Sequence, residues 1–236
     1  LDVNAGSATT AAAFTNYGTA TSTSGTITFG STLTNWDGSV VSSTSGLLTF
    51  TGAASSTGTI TSATGNMLFS STLDNNGTLS IGAGTATTTG HLTLNGSGTI
   101  FNRTGVLEVL ANFIRTGTFT AATGTFRVAG AAAQNITGST FFNFESDKTA
   151  ETATIVTNAA TIGGTLVTRA SSGTLSSAAL ALTVTGATTL FEGSVVTSTS
   201  GTLTFTGAAT STGSIGSDSG NMLFSSTLDN NGTLKV

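Results

Sequence analysis

Apolar residues in this chain alternate with Thr and Ser over short stretches, and the same stretch returns about every twenty residues. Alternation with a period of two is the pattern of a half-buried β-strand. A Gly-[Thr/Ser]-x-x element shows it, beginning at Gly18, Gly38, Gly58, Gly77, Gly98, Gly117 and Gly138, and again at Gly173, Gly193, Gly213 and Gly232. Each copy predicts a short strand, with an inward residue at Ala20, Val40, Ile60, Leu79, Ile100, Phe119, Leu175, Val195, Ile215 and Leu234.

A second element follows the first by about seven residues and carries two inward apolar positions. Its members include Ile27 and Phe29, Leu48 and Phe50, Met67 and Phe69, Leu92 and Leu94, Leu107 and Val109, and Phe126 and Val128. A polar corner residue precedes the first element, often as Asn, at Asn16, Asn35, Asn76, Asn95, Asn135 and Asn231. Asn tolerates turn conformations, and stacked Asn side chains can hydrogen-bond along a ladder.

Equivalent residues that return at this period would stack in ladders and bury a continuous core. The sequence therefore predicts an all-β fold, a single elongated parallel β-solenoid of about 20 residues per coil and about 12 coils. The crossover rule favours a right-handed solenoid. The absence of Pro agrees, because interior strands need every backbone donor. A β-sandwich or barrel stays open as the alternative, although neither requires coils of nearly equal length.

A longer repeat of 155 residues contains these shorter steps. Residues 38–81 and 193–236 are identical at 35 of 44 positions, and weaker similarity extends upstream, so that 1–81 corresponds to 156–236. We expect residues 1–236 to form one continuous solenoid that holds about one and a half copies of this unit. Residues 139–172 break the rhythm and predict irregular coils or a bulge.

The composition excludes several classes of function. The 236 residues include 54 Thr, 30 Ser and 31 Gly, with one His, no Cys and a net charge of −4. A disulfide scaffold or thiolate metal site needs Cys, and an imidazole site needs more than His91. Six Lys and Arg on an acidic chain do not supply a nucleic-acid-binding face. The longest apolar runs, such as 178–182, are far shorter than the ~20 residues of a membrane span, so we expect no membrane insertion.

The coil length and the ladders rich in Thr, Gly and Asn resemble the solenoids of filamentous-haemagglutinin-type and autotransporter-passenger proteins of bacterial surfaces. The stretch GTFTAATGTFRVAGAAAQNITG at 117–138 is similar to a repeat of very large secreted surface proteins. The resemblance implies an extracellular, cell-surface location and a structural or adhesive role. It carries no catalytic residues to this chain.

Outward Thr pairs share one phase of the first element and form a candidate ice-binding or surface-binding face. These residues are Thr19, Thr21, Thr59, Thr61, Thr78 (paired with Ser80), Thr118 and Thr120. A flat Thr-x-Thr array resembles the ice-binding face of some solenoid antifreeze proteins. The alternative is that Thr is simply a good outward strand residue where charges are scarce. Val41 and Phe101 interrupt the array, as does Gly216 in the second copy.

A second candidate site lies in the irregular segment. Glu145, Asp147, Lys148 and Glu151 place four of the 16 charged residues in one short stretch. Such a stretch is usually a solvated turn, but irregular insertions in repeat proteins often carry function. We therefore consider these four residues a candidate lateral contact patch.

Glycoside hydrolysis requires a pair of carboxylates, but the remaining acids are scattered along the chain. Asp37 and Glu192 occupy equivalent repeat positions, as do Asp74 and Asp229, which indicates corner residues. We expect no enzyme activity, no catalytic residue, no cofactor and no metal.

The expected function is that of a non-enzymatic extracellular structural protein, a segment of a surface fibre. Residues 220–236 are nearly identical to the interior stretch 65–81, so the last coil is built like a middle coil. We therefore expect the partner to be the chain itself, as a head-to-tail polymer or a longer tandem chain. The alternatives are an adhesin stalk or a module that binds a glycan or another surface, and an ice-binding solenoid.

Overall fold

The alternating residues form strands of two to six residues with one buried and one exposed face. The structure, a computed structural model, describes residues 1–169 and 173–236. These residues contain 36 strands and no helix. They divide into unit 1, Leu1–Gly124, and unit 2, Thr125–Val236.

Unit 1 contains nineteen strands. They are β1 Asp2–Val3, β2 Ser7–Thr10, β3 Phe14–Asn16, β4 Thr19–Ser22, β5 Thr26–Phe29, β6 Leu33–Asn35, β7 Val40–Ser43, β8 Leu48–Phe50, β9 Ala54–Ser56, β10 Thr59–Ser62, β11 Met67–Phe69, β12 Leu73–Asn75, β13 Thr78–Ile81, β14 Thr85–Thr88, β15 Leu92–Leu94, β16 Thr99–Asn102, β17 Val106–Val109, β18 Phe113–Arg115 and β19 Thr118–Thr120.

Three parallel stacks are built from these strands, and each coil contributes one strand to each stack. Stack A has the order β1-β4-β7-β10-β13-β16-β19, stack B β2-β5-β8-β11-β14-β17, and stack C β3-β6-β9-β12-β15-β18. Successive coils are not all of one length. Thr59 pairs with Thr78, whereas Thr19 pairs with Val40, so the coil that follows Thr19 is the longer of the two.

Unit 2 contains the other strands of the described residues. They are β20 Thr125–Gly130, β21 Gln134–Thr137, β22 Thr140–Phe141, β23 Asn143–Lys148, β24 Thr152–Val156, β25 Ala160–Ile162, β26 Leu166–Thr168, β27 Thr174–Ser176, β28 Leu182–Val184, β29 Thr188–Leu190, β30 Val195–Ser198, β31 Leu203–Phe205, β32 Ala209–Ser211, β33 Ser214–Ser217, β34 Met222–Phe224, β35 Leu228–Asn230 and β36 Thr233–Lys235.

The strands of unit 2 also form three parallel stacks. Stack D runs β20-β23-β26-β29-β32-β35, stack E β21-β24-β27-β30-β33-β36, and stack F β22-β25-β28-β31-β34. Along stack D, Phe126 pairs with Phe144 and Phe144 pairs with Leu166, so a short coil is followed by a long one. The next coil is equally long, because Leu166 pairs with Thr188, so the coil that begins at Phe126 is the short one. Residues 170–172 of the irregular segment lie outside the described residues.

The architecture is a parallel β-solenoid of about twelve coils, which confirms the fold class read from the sequence. The pairings within both units are parallel, so the antiparallel sandwich or barrel is wrong. Right-handedness and the continuity of residues 1–236 stay predictions.

Identical side chains stack in the core because parallel pairing places equivalent residues directly above one another. Phe29, Phe50 and Phe69 lie on successive strands of stack B, with ring centroids 5.2 Å and 4.3 Å apart. All three are fully buried. Phe29 and Phe50 lie within the ~4.5–7 Å over which aromatic pairs add to the energy of burial, and Phe50 and Phe69 are slightly closer.

Polar residues form ladders at the corners of the coils. Asn16 Nδ2 donates to Asn35 Oδ1 at 2.9 Å, and Asn35 Nδ2 donates to Ser56 Oγ at 3.1 Å. A second ladder contains Ser22 and Ser43, whose hydroxyls donate to carbonyls of their own turns. These bonds satisfy buried polar groups that would otherwise destabilise the fold. The expected Asn ladder is thus present, but its next Asn is the buried Asn75 rather than Asn76.

Glycine is required at another corner by a close backbone approach. A Cβ at Gly46 would lie 1.8 Å from the carbonyl oxygen of Gly25, and one at Gly65 would lie 2.0 Å from that of Gly46. Gly84 repeats the contact with Gly65 at 2.0 Å. We call residues 25, 46, 65 and 84 the glycine column.

The inward residue of β7 is Val41, so the expectation of an inward Val40 is wrong. Val41 is fully buried and pairs with Ala20, whereas Val40 pairs with Thr19 on the outward side. The reason is an additional two residues at the preceding corner, where Ser39 takes the place that Gly58 holds in the next coil. The same correction moves the inward position of β30 from Val195 to Val196.

Each coil has a third strand that the sequence pattern did not separate. Leu92 and Leu94 belong to β15 in stack C, not to the stack B strands with which the sequence groups them. The stack B strand of that coil is β14, with Ala86 and Thr88 inward.

Candidate functional site

The outward Thr residues of stack A lie in register on one side of unit 1. Thr59 pairs with Thr78, and Thr61 pairs with Ser80. We call the outward positions of β4, β7, β10, β13, β16 and β19 the hydroxyl face. Its predicted members are Thr19, Thr21, Thr59, Thr61, Thr78, Thr118 and Thr120, all half-buried or exposed. Adjacent strands of a sheet lie ~4.8 Å apart, so the face is a regular array of hydroxyl and methyl groups.

Two apolar residues interrupt the hydroxyl face. Phe101 projects outward beside Thr120 and is 39% exposed, as expected. The second is Val40 rather than the expected Val41, because Val41 is buried. Gly216, in unit 2, is buried on β33 between Thr197 and Lys235. Ice or surface binding by the hydroxyl face stays a prediction.

A shallow cavity of about 430 Å³ borders the hydroxyl face. It is lined by Thr61, Ser62, Ala63, Ser80, Gly82, Ala83, Arg103 and Thr104. Hydroxyl groups and one guanidinium give it a polar rim, but no acid lines it.

The charged segment of unit 2 is organised around Glu145. Glu145 is buried on β23, where one carboxylate oxygen accepts a bond from Arg127 Nη2 at 3.0 Å and the other accepts from Arg169 Nε. Arg127 pairs with Glu145 across adjacent strands, and Arg169 directly follows β26. One buried carboxylate thus binds two guanidinium groups from two coils.

The other members of the candidate contact patch differ in exposure. Lys148 is only 1% exposed, and its ammonium group donates to the carbonyl oxygen of Ala132. Desolvation lowers the pKa of Lys148, and the charge of Glu151 opposes that change. Asp147 is half-buried, and Glu151 is exposed with a φ of 56°. Only Asp147 and Glu151 therefore offer accessible charge, and a lateral contact through the patch stays a prediction.

The scattered acids and His91 stay apart in the structure. His91 Nδ1 accepts a backbone bond from Asn112 at 3.2 Å, and Glu108 accepts a bond from the hydroxyl of Thr87 at 3.1 Å. Asp74 is exposed on stack C. Within residues 1–169 and 173–236, no three His, Cys, Asp or Glu side chains meet in a way that could hold a metal ion. The described part of the chain also has no helix long and apolar enough to cross a membrane.

An exposed aromatic pair is the feature that the sequence reasoning missed. Tyr17 and Trp36 lie at the same corner of successive coils, with ring centroids 5.8 Å apart and planes inclined by 16°. Tyr17 is 75% exposed and Trp36 48% exposed. The available signal was their separation by the length of one coil, and their status as the only Tyr and Trp of the chain.

Comparisons with known proteins add no relatives: no family model, curated protein or solved structure matches this chain.

Proposed function

We propose that this chain is a segment of a non-enzymatic extracellular fibre, extended by stacking a further coil on residues 222–236. That coil comes from a second copy or from a longer tandem form of the same chain. The observation that carries the proposal is the uncovered apolar surface of this last coil.

The uncovered surface is evident from a comparison of two nearly identical segments. In residues 67–81, Met67, Phe69 and Leu79 are at most 1% exposed. Their counterparts in 222–236 are half-buried Met222 and Phe224, and Leu234 at 42% exposure. Covering this surface would remove apolar area from water, at about 25 cal/mol per Å².

The backbone of the last coil is open in the same direction. β11 pairs with β8 on one side and β14 on the other, whereas its counterpart β34 pairs with β31 alone among the described strands. An open strand edge has unpaired donors and acceptors that can bind another strand. Strands β14–β16 cover residues 67–81. A coil of the same kind would therefore cover residues 222–236.

The extracellular setting rests on composition and on the resemblance to filamentous-haemagglutinin-type solenoids. Surfaces rich in Thr and Ser with few charges allow close packing of like rods. The separated acids also support a structural role over an enzymatic one, because hydrolases of sugars use paired carboxylates.

Two variants test the stacking. Leu234→Lys places a charge on the uncovered inward surface, and Leu223→Lys makes the same change at an outward position that is 52% exposed. Measured by sedimentation velocity over a series of concentrations, the parent chain should form growing rods, Leu234→Lys should stay small and Leu223→Lys should still assemble. Fibre diffraction of the rods should show a repeat of ~4.8 Å along the axis. A parent chain that stays monomeric at high concentration would contradict stacking by a second copy and leave only a longer tandem chain as the source of the further coil.

A further inference from the structure

Two coils of unit 1 contain an additional pair of residues, and both additions fall at the corner between stacks C and A. In the shorter coils two residues separate these strands, as between Asn16 and Thr19. Residues 36–39 separate β6 from β7, and residues 95–98 separate β15 from β16. Unit 2 has the same four-residue corner at 191–194, between β29 and β30.

The corners at 36–39 and 191–194 have the same turn. The Ser39 N–H donates to the Trp36 carbonyl at 3.0 Å, and the Ser194 N–H donates to the Phe191 carbonyl at 3.1 Å. In each turn the Ser hydroxyl donates to the same carbonyl as the Ser N–H. Gly38 and Gly193 have φ values of 73° and 80°, a conformation that glycine adopts without strain.

The aromatic residue at these corners is not needed to make the turn. The corner at 95–98 closes with an equivalent bond, from Gly98 N–H to the Asn95 carbonyl at 2.7 Å, and its sequence Asn-Gly-Ser-Gly has no ring and no acid. Trp36 and Phe191 nevertheless stay 48% and 43% exposed, and each is followed by an exposed acid, Asp37 or Glu192. The exposed ring of Trp36 is not isolated, because it stacks on the exposed Tyr17, and a contiguous exposed aromatic pair is a candidate binding surface.

We propose that the Trp36–Asp37 corner, together with Tyr17, binds a neutral saccharide. This site does not depend on the stacking of the last coil. The face of an aromatic ring carries negative charge density, which attracts the polarised C–H groups on the flat side of a pyranose ring. Tyr17 stacks on Trp36, which occupies one face of the indole and holds its orientation.

Asp37 supplies the polar part of the site. Its Oδ1 accepts the Gly38 N–H at 2.9 Å, which restrains the carboxylate at this corner. Its Oδ2 accepts no hydrogen bond from the described residues, and a saccharide hydroxyl can donate to it. Hydrogen bonds to an ionised acceptor are about twice as strong as neutral ones. The same charge repels carboxylated and sulfated sugars, so the ligand class is neutral.

The chain reports directly on this site because Trp36 is its only Trp. Cellohexaose, maltohexaose and the hexamer of N-acetylglucosamine are titrated separately while the fluorescence of Trp36 is recorded. At least one should shift the emission to shorter wavelength and saturate. Tyr17→Ala and Asp37→Asn should each weaken that binding about tenfold.

Two further variants complete the test by calorimetry. The double variant Trp36→Asn, Asp37→Gly begins the corner with Asn-Gly, as at 95–96, and should abolish binding while the far-ultraviolet spectrum stays unchanged. Leu47→Ala, at another exposed apolar residue, should bind like the parent chain. The proposal is overturned if none of the three saccharides changes the emission, or if Tyr17→Ala and Asp37→Asn bind as tightly as the parent. It is also overturned if the emission responds to protein concentration alone, because the rings would then form a contact between copies.

Discussion

Phe69 stacks on Phe50 with centroids 4.3 Å apart and planes inclined by 5°, and the two residues are partners in the register of β11 and β8. The counterpart of Phe69 in the second copy, Phe224, stacks on Phe205 at 5.1 Å. Phe224 has no further coil over it among the described residues. The two copies therefore offer the same side chain in a covered and an uncovered setting.

Phe69→Ala should lower the free energy of unfolding by about 3–5 kcal/mol, because a buried ring leaves a cavity that its rigid neighbours cannot fill. Phe224→Ala should lower it by about 1 kcal/mol, since Phe224 is already partly in contact with water. Urea denaturation of samples too dilute to form rods, followed by circular dichroism, measures both variants. Equal losses would show that Phe224 is as well covered as Phe69.

Gly65→Ala should destabilise unit 1 by about 2 kcal/mol or more, because the new methyl would lie 2.0 Å from the carbonyl oxygen of Gly46 and force the coils apart. Gly96→Ala is the matched control, since a Cβ there meets no atom within 4 Å. We expect its stability to be unchanged or higher by up to about 1 kcal/mol. Thermal unfolding of the two variants side by side measures the difference, and similar melting temperatures would contradict the role of the glycine column.

Glu145→Gln should lower the free energy of unfolding by about 2 kcal/mol, because it leaves Arg127 and Arg169 without the carboxylate they share. The magnitude is below that of a fully buried pair because the Arg169 side chain is 51% exposed. Asp218→Asn removes the carboxylate of the exposed pair with Lys235 and should change stability by less than about 0.5 kcal/mol. Denaturation at low and high salt measures both, and equal effects of the two substitutions would refute the special position of Glu145.

The stability of the chain should rise with pH through the titration of Lys148. Burial lowers the pKa of Lys148 below 10.5, its ordinary value. Between the two pKa values the unfolded chain still holds a proton that the folded chain has released, so the free energy of unfolding increases as pH rises. Lys148→Met should remove this increase, whereas Lys235→Met, at an exposed position, should keep it. Urea midpoints of both variants over a pH series that ends at the ordinary lysine pKa measure the effect.

The strand phase was predictable where the coil length is constant. Ile60 and Leu79 are inward, as expected, because they are register partners one short coil apart and the corner between them has no addition. The error at Val40 has a local cause: the Gly of the Asp37-Gly38 turn resembles the Gly that begins each element, but Ser39 takes its place. The spacing between the two Gly residues counted only one of the two added residues, so the expected phase was displaced by one residue. A shift of one residue exchanges the inward and outward sides of a strand.

The candidate sites were less accessible to sequence reasoning. Glu145 meets Arg127 and Arg169 across two coils of unequal length, so no constant period could pair them. The third strand of each coil was also not predicted. Stack C strands such as β6 contain one buried Leu and one buried Asn, so they lack two apolar residues in alternation. Tyr17 and Trp36 are separated by the length of one coil. Each occurs only once, however, so no repeated pattern in the sequence indicates that they are exposed and stacked.

The glycine column also restricts how such a chain can change in length over evolution. A deletion or insertion of one residue within a coil would move a side chain with a Cβ into the column, where the neighbouring carbonyl leaves no room for it. A pair of residues at the corner between stacks C and A avoids this, as at 36–39 and 95–98, because the strands on both sides keep their register. Within unit 1, tolerated changes should therefore be whole coils or small additions at this one corner, so that duplication lengthens the protein while the corner acquires new residues.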